Sequence, residues 1–360
     1  MEAKRPRRVA LSRVESNENA SPQKPVSDEP VSAFMRQGED RAAGTKYRKG
    51  ILRKDLPHMP AVSIVTTTFN RIGYLKQAIQ SVLSQTFADF ELLVCDDGGR
   101  DETKQLCESF HDERILHTAN PARLGIAMNT YAGISRARSD VIAFLNDDDR
   151  WTSEFLARCA VPLLNDPEVV LTFSDHWLID ADGARLVDDT EVNTRTYGRE
   201  NLVDGRVDQP RKLLARLSIP IAMAAVFRKS MVDWNSYSRK VEGAYDSYIA
   251  YSLLRGQGKV VYVPERLTEY RVHRGAASAE FHLDTTEGLA YVHGLILDDP
   301  AFASIAKEIR GTYLGLEKHL TKLSLLRFDI PSTVKHCARL VRRGIVSPGR
   351  GDEKRNRRLK

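Results

Sequence analysis

The stretch VSIVTTTFNRIGYLKQAIQSVLSQTFADFELLVCDDGG, residues 62–99, decides the fold class of this chain. It opens with VSIVTT (62–67) and closes with FELLVC (90–95) before Asp-Asp-Gly-Gly, and both runs are typical of short buried strands. Between them, apolar residues recur at helical spacing from Leu75 to Leu83. A strand, a helix and a second strand in this order predict the beginning of an α/β domain.

The same alternation continues over the next seventy residues. RILHT (114–118), VIAFL (141–145) and VVLTF (169–173) are further strand-like runs. Helices are predicted over 126–138 and over 151–164. The pattern therefore predicts a mostly parallel, Rossmann-like sheet with helices on both faces.

The second half of the chain is less regular. Residues 180–240 are polar and allow no assignment, whereas 246–255 reads as a helix. VVYV (260–263) and LTEYRVH (267–273) read as extended segments, and 284–346 as helices. We therefore predict the following division: a disordered basic leader (1–58), a main domain (59–280) with halves of about 61–175 and 176–280, a helical extension (281–346) and a basic tail (347–360).

Composition and charge exclude several classes of protein. The chain has 360 residues, 42% hydrophobic and 28% charged, as in an ordinary globular protein. Its net charge of +6 resides in the ends, because residues 61–338 hold 32 Lys/Arg against 38 Asp/Glu. This balance predicts no nucleic-acid partner. Contact of the basic tail with an anionic membrane surface is a hypothesis, and a solvated tail is the alternative.

Cysteine usage and hydropathy bear on the compartment. The longest nearly uncharged apolar stretch, 219–227, is far shorter than a bilayer span, and no apolar block follows the initial MEAKRPRR. The four cysteines are widely spaced, without a CxxC pair: Cys95, Cys107, Cys159 and Cys337. We expect reduced thiols in a cytoplasmic protein, with a peripheral position at the inner face of the membrane if the tail binds there.

Polar residues follow three of the predicted strands, where ligands bind in an open α/β sheet. These clusters are Thr-Thr-Phe-Asn-Arg (67–71), Asp-Asp (96–97) and Asn-Asp-Asp-Asp (146–149). Five carboxylates brought to one edge would repel one another unless a cation lay between them. Hard divalent cations bind such oxygens and bridge them to phosphates. The clusters predict a metal-dependent site for a phosphorylated ligand; for residues 96–97 alone, a simple solvated strand end remains an equal alternative.

Four segments together resemble a known family. They are VSIVTTTFNR (62–71), QSVLSQTFADFELLVCDDGG (80–99), LGIAMNTYAGISRARSDVIAFLNDDDRW (124–151) and AYDSYIAYSLLRGQGKVVYVPERLTEYRVH (244–273). Over about residues 61–278 the chain resembles the inverting glycosyltransferases of family 2, which have the GT-A fold. The resemblance implies a hexosyltransferase-type enzyme with a nucleotide-sugar donor that is UDP-, dTDP- or GDP-linked, a divalent cation (Mg²⁺ or Mn²⁺), and an unidentified hydroxyl acceptor in glycan or glycoconjugate biosynthesis.

The resemblance also implies roles for individual residues. The donor nucleotide site would consist of Thr67, Phe69, Arg71, Asp96, Asp97 and Asp147. The metal would be held by Asp148, Asp149 and His273. The family's Asp-x-Asp signature falls on residues 146–148, where its first position is Asn. Which of the three aspartates 147–149 touches the cation is therefore open.

The acceptor half would supply the catalytic base. The family carries an acidic pair at the start of a helix, and Tyr245-Asp246 occupies that place here, so Asp246 is the candidate general base. Whether Glu242 replaces the missing first acid is open. The alternative for Asp246 is an ordinary helix N-cap.

Two other functions remain in view. A nucleotidyltransferase also places carboxylates and Mg²⁺ at strand ends, but it usually has a glycine-rich loop after the first strand, and TTTFNR (66–71) lacks glycine. A non-catalytic nucleotide-sugar-binding module on the same fold is the second alternative, and only activity separates it from an enzyme.

Overall fold

The computed structural model describes residues 58–273 and 283–344. The predicted tail (347–360) and all of the predicted leader except His58 lie outside the described residues. The strands are β1 (Val62–Thr68), β2 (Phe90–Asp96), β3 (Ile115–Ala119), β4 (Val141–Phe144), β5 (Arg150–Trp151), β6 (Val169–Ile179), β7 (Gly205–Arg206), β8 (Ala225–Arg228) and β9 (Lys259–Arg271). The α-helices are α1 (Ile72–Leu83), α2 (Asp101–Ser109), α3 (Ile126–Arg136), α4 (Phe155–Cys159), α5 (Val161–Asn165), α6 (Val187–Thr196), α7 (Lys212–Ala215), α8 (Ile221–Ala224), α9 (Tyr245–Arg255), α10 (Leu283–Asp298), α11 (Ala306–Leu326) and α12 (Ile330–Gly344).

Within the described ranges, these nine strands form one sheet in the order β3-β2-β1-β4-β8-β6-β9-β5, with β7 also pairing with β9. The β1–β2, β2–β3, β1–β4 and β6–β9 pairs are parallel, and β8 runs antiparallel between β4 and β6. The carboxyl ends of β1, β2, β4, β6 and β9 therefore lie at one edge of the sheet. The predicted mostly parallel α/β architecture is confirmed.

The sheet is buried on both faces, and the strands alternate between two cores. Ile64 packs in the same core as Ile79 of α1, whereas Val65 and Cys95 belong to the core on the other face, which α3 covers. Helix α3 approaches very closely at Gly133, where a Cβ atom would lie 2.6 Å from Val65 Cγ1 and 2.8 Å from Cys95 Sγ. Only glycine allows this approach, which positions the start of α3 at the edge described below.

One predicted helix was partly wrong. Trp151 lies in β5 and pairs with Thr268 of β9, and its indole N–H donates a 2.7 Å hydrogen bond to Met223 O. The helical structure begins only at Phe155 and is divided at Ala160 into α4 and α5. The two extended segments predicted near the end of the main domain are parts of the single long strand β9.

The predicted C-terminal helical extension is confirmed by α10, α11 and α12. Helix α10 packs on the 3₁₀ turn Arg239–Ala244, where a Cβ on Gly288 would come within 2.3 Å of Val241 O. His336 of α12 is hydrogen-bonded through Nδ1 to Glu317 Oε2 of α11 at 2.6 Å. No helix in the described parts of the chain is long and apolar enough to span a bilayer.

Candidate active site

Two aspartates after β4 form the centre of the site at the carboxyl edge of the sheet. Thr68, the last residue of β1, donates a 2.8 Å hydrogen bond to Asp147 Oδ2. Arg71 Nη1 lies 3.2 Å from Asp147 Oδ1 and 2.7 Å from Asp148 Oδ2. His273 Nε2, two residues after β9, lies 3.1 Å from the same Asp148 oxygen. The structure thus brings together side chains that are more than 200 residues apart in the sequence.

The electrostatics of this centre favour a bound cation. Asp147 and Asp148 are only 4% and 7% exposed. Burial, reinforced by the negative charge of Asp148, raises the pKa of Asp147 to about 6, although Arg71 and Thr68 act in the opposite direction. Two buried carboxylates lie side by side here, and a divalent cation would relieve the repulsion between them.

The donor set fits Mg²⁺ or Mn²⁺ held jointly with a diphosphate. In the described parts of the chain, no three His, Cys, Asp or Glu side chains form a group that could hold a metal ion by itself. The Arg71 guanidinium lies between the two carboxylates, while His273 adds an imidazole nitrogen beside Asp148. Magnesium is commonly held by one or two carboxylates plus substrate phosphates rather than by an all-protein cage, and imidazole suits the transition metals.

Asp149 is engaged differently from its two neighbours. It is 1% exposed, its Oδ1 accepts the backbone N–H of Arg271 at 2.8 Å, and its Oδ2 accepts Asn146 Nδ2 at 3.2 Å. Arg271 is equally buried, and its Nε donates to the carbonyl oxygen of Asp148 at 2.7 Å. Because both Asp149 oxygens are already bonded, this arrangement favours Asp148 over Asp149 as the metal ligand.

An exposed aromatic ring lies beside the carboxylates. Phe69 is 38% exposed, and the Arg123 guanidinium lies 4.2 Å from the centre of its ring. The loop that carries Arg123 is fastened by Asp97, whose carboxylate accepts the backbone N–H groups of Leu124 at 2.8 Å and Gly125 at 2.9 Å. The ring face and the adjacent guanidinium make a platform on which a nucleobase could stack.

The other predicted nucleotide ligands lie along the same edge. Asp96 accepts the backbone N–H groups of Gly98 at 2.7 Å and Arg100 at 3.2 Å, and is 1% exposed. Thr67 is partly buried and points to the opposite side of β1 from Thr68. Asp96 therefore orders its own turn and Asp97 orders the loop that carries Arg123, and contact of either carboxylate with a nucleotide stays a prediction.

The start of α9 supplies the predicted base. Asp246 is partly buried, and its Oδ1 accepts the backbone N–H of Ser247 at 2.6 Å. Burial raises the pKa of the Asp246 carboxyl. The neighbouring Tyr245 hydroxyl donates to Asn146 Oδ1 at 3.2 Å, which ties this turn to the loop that carries the aspartates.

Glu242 lies on the turn before α9 and faces the start of α3. Its backbone has a φ of +28°, a conformation that residues other than glycine rarely adopt. The carboxylate lies against the start of α3, where a Cβ on Gly125 would lie 2.8 Å from Glu242 Oε1. Burial raises the pKa of Glu242 as well. Glu242 therefore contacts the first turn of α3.

Comparison with known proteins assigns this edge of the sheet to a family. The family model described as "Glycosyl transferase family 2" matches residues 63–233. This segment, a little under half of the chain, is similar in sequence to the family 2 glycosyltransferases. The predicted resemblance is confirmed for the segment that contains Phe69, Asp97 and the aspartates after β4, whereas Asp246 and His273 follow the matched segment.

A curated relative extends the comparison. GalNAc(5)-diNAcBac-PP-undecaprenol beta-1,3-glucosyltransferase of Campylobacter jejuni subsp. jejuni serotype O:2 is 35% identical over 102 residues. The alignment covers 28% of this chain and 33% of the relative. The chain thus spans about a third of the length of this relative.

Solved structures show the fold. Staphylococcus aureus TarS 1–349, in complex with UDP-GlcNAc, matches with a TM-score of 0.58 at 14% identity, covering 78% of this chain and 81% of that one. The mannosyltransferase PcManGT of Pyrobaculum calidifontis, in complex with GDP-Man and Mn²⁺, matches with a TM-score of 0.53 at 14% identity, covering 88% and 84%. The GT-A fold predicted for the family 2 domain is confirmed.

For three residues of the site, the sequence analysis did not show the contacts that the structure has. Thr68 was part of a quoted cluster, but Thr67 was preferred, although strand alternation could have shown that the two face opposite sides. The sequence did not predict that Arg271 holds the loop of Asp148 and Asp149 in place, since a charged residue near a strand end is usually exposed. The sequence could not show the contact of Arg123 with Phe69, because that contact depends on how the loop after β3 folds.

Proposed function

We propose that the chain is a metal-dependent, inverting, hexosyltransferase-type glycosyltransferase. It would transfer a sugar from a nucleoside-diphosphate donor to an acceptor hydroxyl in glycan or glycoconjugate biosynthesis. The observation that carries the proposal is the convergence of Asp147, Asp148, His273 and Arg71 at the carboxyl edge of a family 2 domain. The family match favours sugar transfer over nucleotidyl transfer.

The donor nucleotide would extend along the sheet edge. Phe69 and Arg123 would hold the base, and Thr67, Asp96 and Asp97 would border the base and ribose. The diphosphate would reach the centre at Asp148, with Arg71 as a charge-assisted donor to its oxygens. Asp148 and His273 would hold the divalent cation with Asp147 beside them; when bound, it would neutralise charge that grows on the departing diphosphate.

Asp246 would act on the acceptor. Its carboxylate takes the proton of the attacking hydroxyl as the oxygen bonds to the sugar C1 and the bond from C1 to the diphosphate breaks. The pKa of Asp246 is raised by burial, which strengthens it as a base near neutral pH. The Tyr245–Asn146 hydrogen bond supports this proposal, since it holds the first turn of α9 against the donor loop.

The donor base and the acceptor class are the finer parts of the proposal. The two structural neighbours were solved with a UDP-linked and a GDP-linked sugar, so UDP-, GDP- and dTDP-linked donors all enter the test. The Campylobacter relative is named for an undecaprenol-linked acceptor, which leads us to propose a lipid-linked glycan as the acceptor class here.

The experiment measures nucleoside diphosphate released from UDP-, GDP- and dTDP-sugars by the full chain, with Mn²⁺, Mg²⁺ or EDTA. We expect metal-dependent release from one donor class, which Asp148→Asn reduces at least about a hundredfold. Asp208→Asn is the matched control, because Asp208 is exposed and follows β7, which pairs with the first part of β9, whereas the site lies at the other end of that strand. Full activity in EDTA, or an active Asp148→Asn variant, would contradict the metal-dependent mechanism.

A further inference from the structure

The turn between α11 and α12, together with the outer side of α12, exposes a concentration of large apolar side chains. Of the sixteen large hydrophobic residues that are exposed in the described ranges, six fall between residues 325 and 341. We call these six the apolar turn-and-helix surface: Leu325, Leu326, Phe328, Ile330, Val334 and Val341. Phe328 is 88% exposed, the largest value among the sixteen. A concentration of exposed apolar side chains of this kind often marks an interaction surface.

Helix α12 is amphipathic in a way that separates this surface from the protein core. Ile330, Val334 and Val341 recur at i, i+4 and i+11, so they lie on one side of the helix. The other side faces α11, where His336 is buried against Glu317. The inward side is therefore already packed, and the apolar side is left outward.

Basic side chains border the surface. Arg327, Lys335 and Arg342 are all exposed on the same turn and helix. The two terminal segments beyond the described residues are also basic: residues 1–57 hold 13 Lys/Arg against 8 Asp/Glu, and residues 345–360 hold 6 against 2. Like charge disfavours either terminal segment, or the same surface of a second copy, as the occupant, whereas an anionic partner is complementary.

The turn part of the surface lies at the end of the helical extension nearest Asp246, whereas Val341 lies at the other end of α12, near the Arg343–Asp298 pair. Tyr313 of α11 packs beside Gly294 of α10, while Glu317, one turn later, meets His336, which lies 3.6 Å from Glu287 near the start of α10. Helix α11 thus runs towards the start of α10, and Leu326 lies about 13 Å beyond Glu317 along its axis. The start of α10 packs against the turn that leads into Asp246, because a Cβ on Gly243 would meet Thr285.

We propose that the apolar turn-and-helix surface inserts into the interface of an anionic phospholipid bilayer, with its flanking arginines and lysine at the headgroups. Exposed apolar residues beside Lys and Arg are the features of helices that lie in a membrane interface. The proposal that the surface binds the bilayer rests only on its exposed apolar side chains and on the positive charge beside them. Its consequence, that the membrane holds the end of the protein where Asp246 meets a lipid-linked acceptor, rests on the proposed function.

The experiment is vesicle co-sedimentation of the full chain, with vesicles of phosphatidylcholine alone or of equal parts phosphatidylcholine and phosphatidylglycerol. We expect sedimentation with the anionic vesicles and at least about tenfold weaker partitioning for Phe328→Asp. Phe328 has a φ of +58°, which Asp adopts more readily than Phe, so this substitution spares the turn. Val203→Asp is the matched control, since Val203 is 80% exposed outside the surface, and we expect it to sediment like the wild type.

Three results would overturn the proposal: no sedimentation of the wild type, equal binding to neutral vesicles, or unchanged binding of Phe328→Asp. Light scattering adds a fourth result. If the wild type is a dimer that does not bind vesicles, and Phe328→Asp dissociates this dimer, the surface is an interface between two copies of the chain. Nucleotide-induced thermal stabilisation is measured on the same samples. If Phe328→Asp keeps that stabilisation while losing the vesicles, failure at the membrane is distinguished from failure of the donor site.

Discussion

Arg71 lies within 3.2 Å of both aspartates, and replacing it with Met gives a magnitude that can be worked from the structure. The side chains of Asp147 and Asp148 are 6% and 9% exposed, and that of Arg71 is 30% exposed. Breaking a fully buried ion pair costs about 3–5 kcal/mol. Because Arg71 is partly solvated, we expect a smaller loss, about 1–2 kcal/mol of the free energy of unfolding.

The assay is thermal unfolding in EDTA and again with Mn²⁺. At about 2–4 °C per kcal/mol for a domain of this size, Arg71→Met should lower the Tm by roughly 2–8 °C in EDTA. Manganese should recover part of the loss, since it supplies the missing positive charge. In the matched control, Arg158→Met, the broken pair with Glu265 is just as short at 2.6 Å, but its side chains are 47% and 43% exposed. This control should lose less than about 1 kcal/mol.

Two results would refute this reasoning. If Arg71→Met melted in EDTA like the wild type, the carboxylates would not depend on the guanidinium. If Mn²⁺ raised the Tm of the wild type and of Arg71→Met by the same amount, the cation would not replace the Arg71 charge.

Three further predictions concern catalysis and binding. Asp246→Asn should lower kcat by about 10²–10⁴ in steady-state assays while nucleotide affinity by calorimetry stays unchanged; a parallel loss of affinity would contradict a base. Burial raises the pKa of Asp246, so kcat should fall as the pH drops through that raised pKa. The ionised carboxylate also costs stability above it, so Asp246→Asn should match or exceed the wild-type Tm at alkaline pH but lose that advantage in acid. Phe69→Leu should weaken nucleoside diphosphate binding at least about fivefold, by the lost stacking, and unchanged calorimetric affinity would remove Phe69 from the base site.

The strands of the first half of the chain could be predicted from the sequence, because local patterns determine them. VSIVTT and FELLVC are apolar enough to be buried on both faces, and both begin strands in the structure. Trp151 was assigned wrongly since its environment is set by Thr268, more than a hundred residues later. Tertiary pairing of this kind overrides a local helical pattern.

In the site, residue types were predictable and partners were not. The Asn in place of the first signature Asp now has a physical reason: Asn146 donates to Asp149 and accepts from Tyr245, whereas a carboxylate there would repel Asp149. The sequence could not show that Arg271 is buried, because it becomes so only through its donation to the carbonyl oxygens of Asp148, Asp180 and Ala181. Such supports depend on loops that meet only in the folded chain.

The most direct test of the central claim is a thermal-shift titration of the full chain with UDP, GDP, dTDP and CMP, each with Mn²⁺, Mg²⁺ or EDTA. We predict that one nucleoside diphosphate stabilises the protein, that it does so only when a divalent cation is present, and that Asp148→Asn abolishes the shift. A well-folded chain that none of these nucleotides stabilises, or one that they stabilise equally in EDTA, would contradict a metal-dependent nucleotide-sugar site at the carboxyl edge of the sheet.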